Sequence, residues 1–153
     1  MAEFEVGYPA VTTDRLASVP MVKPYSIDYP ALLLRLWLGA MGVVHGFPKV
    51  FGGMEKFTEG VVKMGLPAPE FFAWAAALSE FAGGILLILG LGTRLSAFLM
   101  AATMAVAGFI RHAEDPFKTK ELALAYLVLS VVVFLLGPGR FSLDALVFRR
   151  RGV

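Results

Sequence analysis

Four side chains that can carry a charge or a proton lie inside otherwise apolar stretches of this sequence. Arg35, His45 and Lys49 belong to ALLLRLWLGAMGVVHGFPKV, and Glu80 belongs to FFAWAAALSEFAGGILLILGL. A charge near the centre of a bilayer costs at least about 2.5 to 3.5 kcal/mol, so such groups usually face the interior of a helix bundle and have partners there. Arg35 and Glu80 lie clearly within the hydrocarbon, and together with His45 they form a candidate polar cluster that either holds the helices in register, binds a small polar or quinone-like ligand, or relays a proton.

The spacing of these residues predicts where they point. On an ideal helix, steps of three and four residues lead from Arg35 through Leu38, Gly42 and His45 to Lys49, and these residues form one inward stripe. Glu80 lies about 14 Å into its apolar stretch, near the middle of a bilayer. Depth along the helices predicts a buried pair of Glu80 with either Arg35 or His45. Such a pair either only fixes the register of two helices or takes part in chemistry, and the sequence leaves both open.

The sequence offers little for metal chemistry. It contains no cysteine, which excludes a thiol relay, a thiolate zinc site and a cysteine-bound iron–sulfur cluster. His45 and His112 could suggest a bis-histidine haem. Their depths differ by several ångströms, however, and His112 is followed by AEDP, which is typical of an exposed loop. We predict no metal site, assign no catalytic residue and leave open whether the chain is an enzyme.

The composition identifies the class of protein. Hydrophobic residues make up 58% of the 153 residues and charged residues only 17%, with a mean hydropathy of +0.72, whereas soluble proteins average about 25% charged residues. This is typical of a membrane protein. The net charge is only +2 and no long basic block occurs, which argues against nucleic acid as a partner. The cluster Arg149 to Arg151 suits the anionic inner face of a membrane.

Four apolar stretches are long enough to cross a bilayer as helices, at residues 31–50, 71–91, 95–111 and 122–136. The last is the shortest. The GLGTR turn at 90–94 is so short that the second and third spans must be antiparallel neighbours. The predicted fold is all-α, an up-and-down bundle of four transmembrane helices with short interfacial helices.

The chain divides into three parts. Residues 1–30 are predicted to form a cytoplasmic N-terminal arm, residues 31–147 a four-helix membrane domain, and residues 148–153 a basic C-terminal tail. MEKFTEGVVKM at 54–64 predicts a short amphipathic helix, either interfacial or packed on the bundle. A second amphipathic anchor follows Gly137-Pro138-Gly139. With four spans both termini share a side, and the terminal arginines place that side in the cytoplasm.

Small residues predict how the helices pack. They recur at steps of three and four, together with Glu80, on one face of the second span (Ala73, Ala76, Ala77, Gly83 and Gly84) and on the third (Ala97, Ala101, Ala105 and Gly108). Hydrophobicity does not drive helices together in lipid, so small residues that allow close approach are the natural packing surfaces. A cofactor crevice along these stripes is the alternative.

Taken in order, several motifs resemble the DoxX family of small four-helix integral membrane proteins, over about residues 31–146. They are Arg35 to Gly39 and His45-Gly46 to Lys49 in the first span, Gly65-Leu66-Pro67, Glu80 to Gly83-Gly84, Gly90-Leu91-Gly92-Thr93-Arg94, and Gly137-Pro138-Gly139-Arg140 to Ser142-Leu143-Asp144. The resemblance implies a multi-pass protein of an energy-transducing, inner cell membrane. It also implies a link to membrane oxidoreductase assemblies, including thiosulfate oxidation, quinone reduction and the handling of oxidative stress. The polar pocket it implies consists of Arg35, His45, Lys49 and Glu80.

Three functions follow as alternatives. The first is a non-catalytic or accessory subunit of a membrane redox or respiratory complex, whose partners are the lipid bilayer and other membrane protein subunits. The second is a quinone-interacting oxidoreductase subunit that uses the Arg, His and Glu pocket. The third is a small proton-coupled transporter that uses Glu80. No covalent cofactor is predicted, and the expected ligand is a quinone or a lipid.

Overall fold

The computed structural model describes residues 27–149, and every regular element within them is helical. The helices are α1 (Asp28–Pro48), α2 (Met54–Val62), α3 (Pro69–Leu89), α4 (Thr93–Val106), α5 (Phe117–Leu136) and α6 (Leu143–Arg149). A kinked segment, Lys49–Gly53, joins α1 to α2, and a π-helical turn, Ala107–Arg111, extends α4. Four of these helices are long and apolar enough to cross a membrane. The predicted all-α class and four spans are confirmed.

The four long helices follow one another around the bundle in the order in which they occur in the chain. α1 packs on α3, α3 on α4, α4 on α5, and α5 returns to α1. This is the predicted up-and-down topology, with α3 and α4 as neighbours across the short turn. We call the end at which α1 begins and α5 ends the proximal end, and the opposite end, which carries α2, the distal end.

The start of the fourth span differs from the sequence prediction. α5 begins at Phe117 rather than near residue 122, so it has 20 residues, and the prediction of a short fourth span was wrong. Its first turns carry Lys118 and Lys120, and Lys120 Nζ donates a hydrogen bond to the carbonyl of Ala113 at 2.8 Å. Charged groups at a helix end can extend to the membrane interface, so they lengthen a span without burying a charge.

The predicted terminal regions lie mostly outside the described residues. Residues 1–26 of the N-terminal arm and residues 150–153 of the basic tail are not among them. Residues 28–30, assigned to the arm from the sequence, are instead the first residues of α1. Pro30 fits there because the first helical turn has no hydrogen-bonding partner for its missing N–H.

Glycines bring α1 into backbone contact with α3. A Cβ atom added at Gly39 would lie 2.6 Å from the carbonyl oxygen of Gly84, and one added at Gly46 would lie 2.8 Å from the Cα of Phe81. Both distances are far below van der Waals contact. The predicted small-residue packing is thus confirmed for Gly84, and its counterpart on α1 is a row of glycines at 39, 42 and 46.

The kinked segment folds α2 back over the bundle. Phe51 (φ −105°, ψ 25°) and Gly52 (φ 158°, ψ −10°) leave the helical conformation, so α2 does not continue the axis of α1. α2 packs against α3, and its Val61 is buried. Of the two predicted settings for this helix, contact with the bundle is confirmed; a position at the membrane interface stays a prediction.

Candidate functional site

A partly buried ion pair joins the kinked segment after α1 to α3 in the distal half of the bundle. Glu80 lies about midway along the 21-residue α3 and is only 4% exposed. Its Oε2 accepts a hydrogen bond from Nζ of Lys49, the residue that follows α1. The same Nζ lies 4.6 Å from the ring centroid of Phe57 on α2, a cation–π contact. Three consecutive elements of the chain therefore enclose this pair.

The sequence-based pairing of Glu80 with Arg35 or His45 is not what the structure shows. Gly46 lies against Phe81, so Lys49 lies about 3 Å, roughly half a helical turn, distal to the level of Glu80. The four-carbon stem of a lysine can cover such a distance along an apolar surface while its ammonium group meets a partner. Close contact of the two backbones shortens the remaining distance, and Lys49 becomes the partner.

A pair of hydroxyl groups lies beside the ion pair. Ser79 Oγ donates to the carbonyl of Ala76 at 2.9 Å and lies 2.6 Å from Oγ1 of Thr103 on α4. Ser79 is buried. Sequence reasoning missed both residues, because single hydroxyls in apolar helices often bond only to their own backbone. The available signal was the direct adjacency of Ser79 to Glu80.

The ion pair and the hydroxyl pair, that is Lys49, Glu80, Ser79 and Thr103, line one cavity of about 650 Å³ between α2, α3 and α4. The rest of the lining is largely apolar and includes Phe57, Phe72, Leu99 and Val106. Lys56, Arg111 and His112 also line it, so the cavity carries more basic than acidic groups. Its volume lies within the range of about 300 to 1,000 Å³ that is usual for small-molecule sites, which likewise combine apolar walls with a few polar groups.

Arg35 belongs to a different site, near the proximal end. It is 1% exposed, and its Nη1 and Nη2 donate to the carbonyls of Pro138 and Phe141, each at 2.6 Å. Its guanidinium also adjoins Gly90, where φ is +69° and a Cβ would collide with it. Arg35 therefore holds the segment after α5 against the bundle, remote from Glu80.

His45 also lies apart from the cavity. It is exposed on the surface of the bundle, with its ring edge-on to Tyr126 of α5 at a centroid distance of 6.1 Å. At about 100° per residue, His45 points about 80° away from Arg35 around the axis of α1. The face of α1 that carries Arg35 and Gly42 is buried, and His45 therefore lies at the edge of that face. The predicted four-residue pocket is thus divided: Lys49 and Glu80 are together, and Arg35 and His45 are elsewhere.

The second histidine lies at the distal end. Nδ1 of His112 is 2.6 Å from Oδ2 of Asp115. His112 lines the cavity, whereas His45 faces α5. Among residues 27–149, no group of three or more histidine, aspartate or glutamate side chains is arranged to hold a metal ion.

The polar groups of the cavity can both donate and accept hydrogen bonds. An ammonium group has three N–H donors, and Lys49 donates one of them to Glu80. Glu80 is an acceptor only, and a hydroxyl group can donate or accept. The arrangement suits a ligand with an apolar body and a small number of polar atoms.

The fold defines a multi-pass helical membrane protein with a cavity between α2, α3 and α4. The chain belongs to the DoxX family, which its residues 31–113 match. It is 34% identical over 125 residues to the protein named "Putative oxidoreductase CatD" of Bacillus subtilis, covering 81% of this chain and 91% of that protein.

Two Escherichia coli relatives are also similar along most of their length. Inner membrane protein YphA is 29% identical over 130 residues (75% of this chain, 89% of that protein). Inner membrane protein YqjF is 25% identical over 133 residues (80% of this chain, 95% of that protein). No solved structure shows significant similarity.

Proposed function

We propose that this protein is the quinone-binding subunit of a membrane redox complex. The observation that carries the proposal is the 650 Å³ cavity in which the Lys49–Glu80 ion pair interrupts largely apolar walls. A quinone has a flat apolar ring, two carbonyl oxygens that accept hydrogen bonds, and an apolar tail. Its shape and polarity match a cavity of this kind.

The residues present fit such a ligand. The N–H groups of Lys49 that do not bond to Glu80 can donate to a quinone carbonyl, and Glu80 holds the ammonium group in place. The apolar side chains of α2, α3 and α4 supply the surface for a ring and tail. A bound quinone supplies reversible two-electron chemistry, and the protein supplies binding, orientation and local charge.

Two observations support a role in a redox complex: the name of a relative and the absence of cysteine from residues 1–153. The similar Bacillus subtilis protein is named "Putative oxidoreductase CatD". Residues 1–153 contain no cysteine, so neither a thiol relay nor a cysteine-bound iron–sulfur cluster can form from them. We therefore assign electron delivery to a partner protein in the same membrane. The names of the two Escherichia coli relatives, both inner membrane proteins, support an inner membrane location.

Orientation in the membrane is part of the proposal. The basic cluster Arg149 to Arg151 follows the last span closely, and positive charges near span ends favour the cytoplasmic side. Both termini would then be cytoplasmic. The distal end, with α2 and the cavity, would be on the opposite side of the membrane.

The direct test is quinone titration of the full chain, purified in a mild detergent, with decylubiquinone as the probe. Wild-type protein should bind about one quinone per chain, and Glu80→Gln should weaken binding about tenfold because it removes the charge that holds Lys49. Glu121→Gln is the matched control, since Glu121 is exposed on α5 and does not line the cavity. Absence of binding, or equal affinity in Glu80→Gln, would refute the proposal.

A pull-down from native membranes tests the complex. Mass spectrometry of the purified sample should find redox subunits together with bound quinone. A phospholipid retained equally by wild type and Glu80→Gln, in place of quinone, would identify the occupant as an acyl chain and reject the quinone assignment.

A further inference from the structure

A second polar contact in the cavity carries an inference that rests on the proposed function. We propose that the Ser79–Thr103 hydroxyl pair is a ligand subsite that binds both redox forms of the quinone, as donor to a carbonyl and as acceptor from a quinol hydroxyl. The pair lines the same cavity as Lys49 and Glu80. A ring with two oxygen atoms would then have two polar contacts, the ion pair and the hydroxyl pair.

The hydrogen-bond inventory of the pair permits both roles. Each hydroxyl has one proton and two lone pairs. If Ser79 donates to the carbonyl of Ala76, Thr103 donates to Ser79, and a lone pair of Thr103 is left for a ligand hydroxyl. If Ser79 instead donates to Thr103, the Thr103 proton is free to donate to a ligand carbonyl. Rotation of two hydroxyl groups changes one state into the other without movement of the backbone.

The position of the pair also favours a ligand contact over a purely structural one. Ser79 is 6% exposed and Thr103 is half-buried, so Thr103 is the more accessible of the two. Thr103 lies on α4 and Lys49 adjoins α1, so the two polar contacts are held by different helices. Ser79 and Glu80 are adjacent residues of α3, so one helix fixes the distance between the hydroxyl pair and the ion pair.

The test measures the affinity of the purified full chain for decylubiquinone and for decylubiquinol. Thr103→Val removes the hydroxyl at nearly constant shape and should weaken binding of both forms about threefold to tenfold, the usual range for one hydrogen bond. Thr103→Ser keeps the hydroxyl and should restore affinity. The matched control is Thr93→Val on the same helix: Thr93 is fully buried, its hydroxyl has no partner, and it does not line the cavity.

Ser79→Ala gives a readout that a structural role would not produce. Without Ser79, the Thr103 hydroxyl can still donate its proton to a quinone carbonyl. When the Thr103 hydroxyl instead accepts a hydrogen bond from a quinol, its proton no longer has Ser79 Oγ as an acceptor. Quinol binding should therefore weaken about threefold more than quinone binding. This ratio remains measurable even if Thr103→Val does not fold.

The outcomes separate the two proposals. If Glu80→Gln weakens binding while the Thr103 and Ser79 variants bind both forms like wild type, the pair only joins α3 to α4 and this inference is wrong. If wild-type protein binds neither form, the proposed function itself fails, and this inference fails with it.

Discussion

Asp144 of α6 binds the N-terminus of α4 through Thr93, 51 residues earlier in the chain. Its Oδ2 accepts a hydrogen bond from the backbone N–H of Thr93 at 2.9 Å, and its Oδ1 accepts one from Gly92 at 2.8 Å. The backbone N–H of Asp144 donates in return to the carbonyl of Gly90 at 2.9 Å. The first turn of a helix has free N–H groups and a partial positive charge, which a carboxylate satisfies.

Removal of this carboxylate should loosen the proximal end without unfolding the bundle. Asp144→Ala should cost about 0.5 to 2 kcal/mol, the usual effect of losing a helix cap. Hydrogen exchange should become faster in residues 90–97 and 142–147 and stay unchanged in α1. Asp144→Asn, which keeps one acceptor oxygen, should have an intermediate effect. Unchanged protection in both variants would contradict this assignment.

Gly46 should not tolerate a methyl group. A Cβ there would press on the backbone of Phe81, which cannot move without separating α1 from α3. We expect Gly46→Ala to destabilise the protein by about 1 to 3 kcal/mol, as overpacking does. The control is Gly60→Ala on α2, where nothing lies within 4 Å of the added Cβ and alanine gains up to about 1 kcal/mol of helix propensity. Equal thermal unfolding temperatures for the two variants would be inconsistent with this contact.

The Lys49–Glu80 pair should show strong coupling between its members. Glu80→Leu leaves Lys49 without its partner in an apolar setting, and Lys49→Met leaves the buried carboxylate alone. Breaking a buried pair costs about 3 to 5 kcal/mol, with less expected here because the Lys49 side chain is one quarter exposed. The double variant should be more stable than Glu80→Leu alone, as judged by unfolding in detergent. Additive losses would mean that the two groups act independently.

His45 should be dispensable for the cavity. Its ring lies beside Tyr126 on the surface of the bundle rather than in the lining. His45→Ala should therefore leave the affinity for decylubiquinone within about twofold of wild type, in contrast to Glu80→Gln. A loss as large as that of Glu80→Gln would place a ligand at His45 and displace the cavity from its proposed role.

The proposed orientation can be tested with single cysteines, because residues 1–153 contain none. Arg140→Cys lies at the proximal end and Lys63→Cys at the distal end, and both positions are exposed. In intact cells, a membrane-impermeant maleimide should label Lys63→Cys and leave Arg140→Cys unlabelled until the membrane is opened. The reverse pattern would place the termini outside the cytoplasm.

The sequence by itself determined the class of protein, the number of spans and their order. Each of these follows from local properties: a run of apolar residues long enough for the bilayer, a turn too short for anything but antiparallel neighbours, and small residues at helical spacing. The DoxX resemblance was also contained in the sequence, as a set of motifs in a fixed order. The predicted start of α5, near residue 122, was five residues too late because the apolar run begins only after the charged residues Lys118, Lys120 and Glu121.

Only the tertiary structure decided which polar groups meet. Whether Glu80 contacts Arg35, His45 or Lys49 depends on the rotation of two helices about their axes, and the glycines of α1 set that rotation by allowing backbone contact with α3. The carbonyl partners of Arg35 come from residues more than 100 positions later in the chain. The Ser79–Thr103 pair joins α3 to α4, and the cavity is lined by three helices, α2, α3 and α4. Such contacts depend on distances between helices, which the periodicity of one helix does not contain.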